Sequence, residues 1–126
     1  MRLLAGLLVV VAAVVSLGLW VNHSLDSAAK MMDQNIKQIT EEINRSNWDE
    51  AYNQTVALEK TWNQKEKWWP IVLEHQEMDN IKFSMAKAKE YVKSRDKVLS
   101  LGQLSELKLM IMHLPEKEAV NLKNIL

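Results

Sequence analysis

Leu25 to Ile43 reads LDSAAKMMDQNIKQITEEI. Leu25, Ala29, Met32, Ile36, Ile39 and Ile43 recur at intervals of 4, 3, 4, 3 and 4, the seam of an amphipathic helix that must lie against other helices. Asp33, Lys37, Glu41, Glu42 and Arg45 occupy its other faces. The partner of so narrow a seam is either the rest of this chain or a second copy. No Gly or Pro separates the seam from Trp20, so the helix is expected to run on from the segment before it.

That segment, Leu3 to Val21 (LLAGLLVVVAAVVSLGLWV), carries no charge. At about 1.5 Å rise per residue it reaches across most of the roughly 30 Å hydrocarbon core of a bilayer. Arg2 and the amino terminus precede it, while Asp26 and Lys30 cancel beyond it. The positive-inside bias then leaves the N-terminus in the cytoplasm and sends the remainder outside. A cleaved leader is the rival reading, with small residues at Ser16 and Gly18, but the apolar run continues past that point. Residues 1–23 are therefore expected to be a signal-anchor helix in the cytoplasmic membrane, and 24–126 a domain outside it.

The domain reads as helix throughout. The chain has 3 Gly and 2 Pro among 126 residues, a composition with few breakers. Asn47, followed by Asp49 and Glu50, suggests a capped second helix with a stripe of Trp48, Ala51, Tyr52, Thr55, Leu58 and Trp62. Pro70 suggests the start of a third, with Ile71, His75, Met78, Ile81, Met85, Ala88 and Val92 on its apolar face. Ser100 with Gln103 suggests a cap for a fourth, carrying Leu104, Leu107, Ile111 and Leu114, and Pro115 suggests a short fifth. Short links and no strand signal give an all-α antiparallel bundle of four to five helices. Asp33 to Glu59 holds six acids against two bases, and Lys82 to Lys97 six bases against two acids. Opposite balances on adjacent helices favour their pairing, although each exposed pair is worth only about 0.2–1 kcal/mol.

Composition and motifs exclude much chemistry. The 16 basic and 16 acidic side chains balance, so nothing marks a nucleic-acid surface. Without cysteine there is no disulfide, thiolate metal site or thiol nucleophile. No glycine-rich phosphate loop, Gly-x-Ser-x-Gly or His-Glu-x-x-His occurs. The triplets at Asn22, Asn44 and Asn53 are glycosylation acceptors only in a eukaryotic secretory setting. His75 and Asp79 lie one turn apart, and an antiparallel neighbour would bring His113 towards them, giving a candidate buried polar cluster. No cofactor or metal is expected. In KTWNQKEKWWP (Lys60 to Pro70), Trp62 and Trp69 are expected to seal a helix corner and Trp68 to face outward.

The apolar leader, Asn47-Trp48-Asp49-Glu50-Ala51, Trp62, Trp68-Trp69, His75 to Ile81, His113 to Glu118 and Asn121 to Leu126 together resemble an uncharacterised family of small membrane-anchored proteins from spore-forming bacteria, domain of unknown function 4363. The resemblance transfers no catalytic residue. It implies a neighbouring multi-span membrane protein similar to YetF as partner, and the spore inner membrane as a setting. The resulting expectation is a non-enzymatic anchored accessory protein. It would bind that partner, or a second copy, through Met32, Ile36, Ile39, Ile43 and Trp68. The alternative is an extracytoplasmic sensor with a polar pocket near His75 and His113.

Overall fold

The computed structural model describes residues 1–67 and 74–125, with side chains described as far as Pro115. Among the described residues the chain forms α1 (Arg2–Asn44), α2 (Trp48–Glu66), α3 (His75–Lys93) and α4 (Lys97–Ile125), and no strand. α1 crosses the expected 23/24 boundary without a break. Its 43 residues make a rod of about 64 Å. Burial starts only at Leu25, and from there Leu25, Ala28, Ala29, Met32, Ile36, Ile39 and Ile43 face inward.

Each helix packs against the next and α4 closes on α1. The core unites the α1 seam with Ala51, Leu58 and Trp62 of α2, Met78, Ile81, Met85, Ala88 and Val92 of α3, and Leu104, Leu107, Ile111 and Leu114 of α4. The seam's partner is thus its own chain. Two ion pairs cross between α2 and α3, Lys89 to Glu59 at 3.1 Å and Lys82 to Glu66 at 3.8 Å, and Arg95, in the turn after α3, reaches Asp49 on α2 at 3.3 Å. Their numbers fall on one helix as they rise on the other, the register of an antiparallel pair. Lys108 reaches Asp33 at 3.7 Å between α4 and α1.

Two short turns at the end of the bundle remote from the apolar segment share one geometry. After α1, the Ser46 N–H donates to the Ile43 carbonyl and the Asn47 N–H to that of Glu42. After α3, Arg95 donates to Val92 and Asp96 to Tyr91 in the same pattern. This double closure satisfies the last helical carbonyls and requires a left-handed residue between. Ser46 (φ 60°) and Arg95 (φ 58°) take that conformation without being glycine. Each following residue then starts the next helix, its carbonyl accepting from Ala51 and Ser100 respectively.

Several expected boundaries shift. Asn47 is the N-cap of α2 but makes no side-chain cap bond; its Nδ2 donates instead to Glu42 across the turn at 2.8 Å. Asp96, rather than Ser100, caps α4, accepting from the Leu99 N–H at 3.0 Å. Ser100 is fully buried, its hydroxyl without a hydrogen-bond partner among the described residues. Pro115 sits inside α4, forgoing the one bond its nitrogen cannot donate, so among the described residues the bundle has four helices, within the expected four to five, and the separate short fifth does not form. α3 begins at His75. Trp68, Trp69, Pro70 and Ile71, on which the third-helix start and the tryptophan corner rest, lie outside the described residues.

The ion pair to Glu59 raises the Lys89 pKa above the ordinary 10.5, chiefly through the hydrogen bond and then through charge attraction, against partial burial. A raised folded-state value means that the stabilisation is complete below the unfolded chain's pKa and is lost as pH climbs through the folded one. A Lys89→Met and Glu59→Gln double-mutant cycle, read by urea unfolding, is expected to give about 0.2–1 kcal/mol of coupling at pH 7, fading above pH 10.5. In the same assay Ser46→Gly should stabilise by about 0.5–1 kcal/mol. Asp96→Ala should cost about 1 kcal/mol, and Asn47→Ala, which removes no cap bond, distinctly less.

Candidate functional site

The apolar half of α1 is the most unusual surface of the molecule. Leu3, Leu4, Leu7, Leu8, Val9, Val10, Val11, Val14, Leu17 and Leu19 are all exposed. An 18-residue window of this helix is apolar enough to cross a membrane and has no part buried within the fold. A helix apolar on every side belongs inside a protein core or a bilayer, and the bundle supplies no cover here. At its inner end Trp20 is exposed, Val21 packs against the core, and Asn22 is half-buried. The Asp26–Lys30 pair at 3.0 Å marks where charge begins.

The candidate partner-binding residues are placed quite differently. Met32, Ile36, Ile39 and Ile43 are between 0 and 3% exposed, enclosed by α2 and α4. They hold the bundle together and offer nothing to a second protein. The periodicity that marks such a seam cannot say whose helix covers it. Trp68 lies outside the described residues.

His75, Asp79 and His113 do not form a buried cluster, for all three are exposed. His75 and Asp79 border a shallow groove of about 260 Å³ with Asn63, Glu66, Lys67 and Met78. His113 borders a separate one of about 130 Å³ with Glu77, Asn80, Ile81, Met110 and Leu114. The reason is rotational. His75, Met78 and Ile81 are separated by two successive three-residue steps, and at about 100° per residue these swing His75 some 120° away from Ile81. Among the described residues no three His, Asp or Glu side chains gather to hold a metal ion.

Sequence reading missed two polar features. Gln103 on α4 donates to the Ser84 hydroxyl on α3 at 2.7 Å, the latter almost wholly buried. The Ala-Lys-Ala-Lys-Glu run of α3 conceals Ser84 beside it, and only its place between Ile81 and Ala88 could have marked it as inward. At the remote end, Trp48, Asp49, Tyr52, Asn53, Val92, Lys93 and Arg95 line an open cleft of about 330 Å³. The Arg95–Asp49 pair spans its rim, with Asp49 91% exposed, so it is readily displaced.

The sequence matches the family described as "Domain of unknown function (DUF4363)" over residues 19–125. The chain belongs to this family. The DUF4363 match spans α2 and α3, nearly all of α4 and the bundle half of α1, and takes in only the last three residues of the apolar run. Its description assigns no activity, and no residue role carries over from it. Comparison with curated proteins and with solved structures gave no match.

Ile39→Ala is expected to destabilise the bundle by about 2–5 kcal/mol, as truncation in a closed core does. A seam open to solvent would lose no more than about 0.5 kcal/mol. Thermal or urea unfolding of residues 24–126 distinguishes the two.

Proposed function

We propose that this chain is a non-enzymatic accessory protein that holds its helical bundle against the outer face of the cytoplasmic membrane and binds a neighbouring membrane protein there. The exposed apolar half of α1, continuous with a helix of the core, carries the reading. Sinking that surface in lipid removes it from water at roughly 25 cal/mol per Å². Because no turn intervenes between Arg2 and Asn44, the bundle would stand off the bilayer as a stiff extension of the anchor rather than swing on a linker. Arg2 before the apolar run, against balanced Asp26 and Lys30 after it, favours a cytoplasmic N-terminus.

The partner we favour is a multi-span protein similar to YetF, in keeping with the family resemblance, and the spore inner membrane is a fitting location. With the α1 seam enclosed, the contact must use the outer faces of the bundle or its remote tip. The tip is well suited, since its cleft offers two half-buried aromatic rings, Trp48 and Tyr52, beside the cations Lys93 and Arg95. Partly buried aromatics next to Arg are the usual anchors of a protein contact.

In cells making the full chain, it should stay in the membrane fraction through alkaline carbonate extraction. Val11→Arg, placing a charge at mid-bilayer at a cost of about 2.5–3.5 kcal/mol, should release a substantial share to the aqueous fraction. Gentle detergent extraction should recover a multi-span protein with the wild-type chain and lose it with Trp48→Ala. Wild-type protein found soluble after carbonate, or recovered alone from native membranes, would contradict the proposal.

A further inference from the structure

The cleft at the remote end of the bundle holds more positive charge than its own residues use. α2 contributes the half-buried rings of Trp48 and Tyr52, and α3 with its following turn contributes Lys93 and Arg95, both exposed. Among the described residues Lys93 pairs with no acid. Arg95 reaches Asp49 alone, by one contact at 3.3 Å between two exposed side chains. That is longer than the roughly 2.7–2.9 Å of a well-made charge-assisted bond, and it leaves the rest of the guanidinium fork unused. Of the acids near this end, Glu42 is held by Arg45 and Asn47, Glu50 accepts from Gln54, and Asp96 caps α4. None of those three lines the cleft.

Arg95 is also an unexpected residue for its place. Its φ of 58° lies in the left-handed region, which glycine, Asn or Asp occupies more readily than a long side chain. The matching turn after α1 fills the same position with Ser46, so the turn itself does not call for an arginine. The fold gains little in return, since an ion pair this exposed is weak. Residues kept in such conformations gather at binding sites, where the side chain is needed by a ligand.

We infer that the cleft takes a carboxylate from the neighbouring membrane protein, an acidic side chain that displaces Asp49 from Arg95 while an apolar neighbour lies against Trp48 and Tyr52. The inference rests on the accessory-protein reading and specifies the chemistry of its contact. Two cations and one displaceable acid complement an anion. A guanidinium receives a carboxylate through two parallel bonds, and the adjoining rings suit an apolar side chain. Height restricts the partner further. From Val21, where the apolar run ends, to Asn44, α1 rises about 35 Å. The cleft lies at that far end, so the acidic segment belongs to a part of the partner that stands off the bilayer, and not to its membrane spans.

Full-length chain in detergent micelles, titrated with the peptide acetyl-Glu-Leu-Glu-amide, should show a saturable shift of the Trp48 indole N–H resonance. Acetyl-Gln-Leu-Gln-amide and sodium acetate should each bind roughly fivefold more weakly or worse. Asp49→Asn, which removes the internal competitor, should tighten the acidic peptide by about threefold or more. Arg95→Gly, which removes the guanidinium and relaxes the left-handed turn, should weaken it by about tenfold or more, with Tm unchanged or raised. Equal binding of the two peptides overturns the inference, as does an Asp49→Asn chain that binds no better. Acetate bound as tightly as the peptide overturns it too, because the cleft would then hold a free small anion. In gentle extraction from native membranes, recovery of the multi-span protein should rise with Asp49→Asn and fall with Arg95→Gly. A multi-span protein recovered equally with all three chains contradicts the inference and leaves the accessory reading standing. Wild-type chain recovered alone contradicts both.

Discussion

Everything in this molecule depends on α1 carrying two different surfaces, one that the bundle encloses and one that it leaves uncovered. From Leu25 to Ile43 one narrow face is enclosed by α2 and α4, and the rest of the circumference is left to polar residues. From Leu3 to Leu19 the circumference is apolar all round and nothing in the fold encloses it. The change happens within about one turn near Val21 to Leu25, with no break in the backbone. One unbroken helix is thus amphipathic along one half and uniformly apolar along the other, the form that the proposed anchoring requires.

The remaining helices follow from that seam. It needs two neighbours, which α2 and α4 provide, and α3 fills the space between them. The two similar turns after α1 and α3 reverse the chain in three residues each, using left-handed Ser46 and Arg95. Charge then aligns α2 with α3 through Glu59 and Lys89 and their neighbours. None of these surface pairs is strong. Their value is in register, because a helix displaced by one turn would lose all of them together while the apolar core remained nearly as well buried.

Much of this was legible from residue spacing. The seam, the second stripe and the fourth were evident because their apolar positions keep strict helical intervals, and the acid–base asymmetry set the basic α3 against an acidic stretch that spans the end of α1 and most of α2, of which α2 is the one that pairs with it. Helix ends were less legible. Asn47 and Ser100 both look like caps, yet a cap is made by whichever side chain the turn geometry points at the free N–H groups, and the turns were invisible to periodicity. Pro115 looked like a start because proline usually is one. The histidines failed for a different reason: His75 shares a rough stripe with Met78 and Ile81, but accumulated three-residue steps carry it round to solvent. DUF4363 membership adds a family to this picture without adding a chemistry.

The central claim is that one continuous helix is covered by lipid along its first half and by protein along its second. Single cysteines along α1 in intact membranes, probed with a membrane-impermeant maleimide added from outside, test it directly. Cysteines at Val9, Ala12 and Ser16 should stay unlabelled even after unfolding of the bundle with urea. Those at Met32 and Ile36 should stay unlabelled until urea is added, and those at Ser27 and Lys37 should react at once. Labelling at positions 9 to 16 in native membranes, or a seam as reactive as Ser27 before unfolding, would contradict the account.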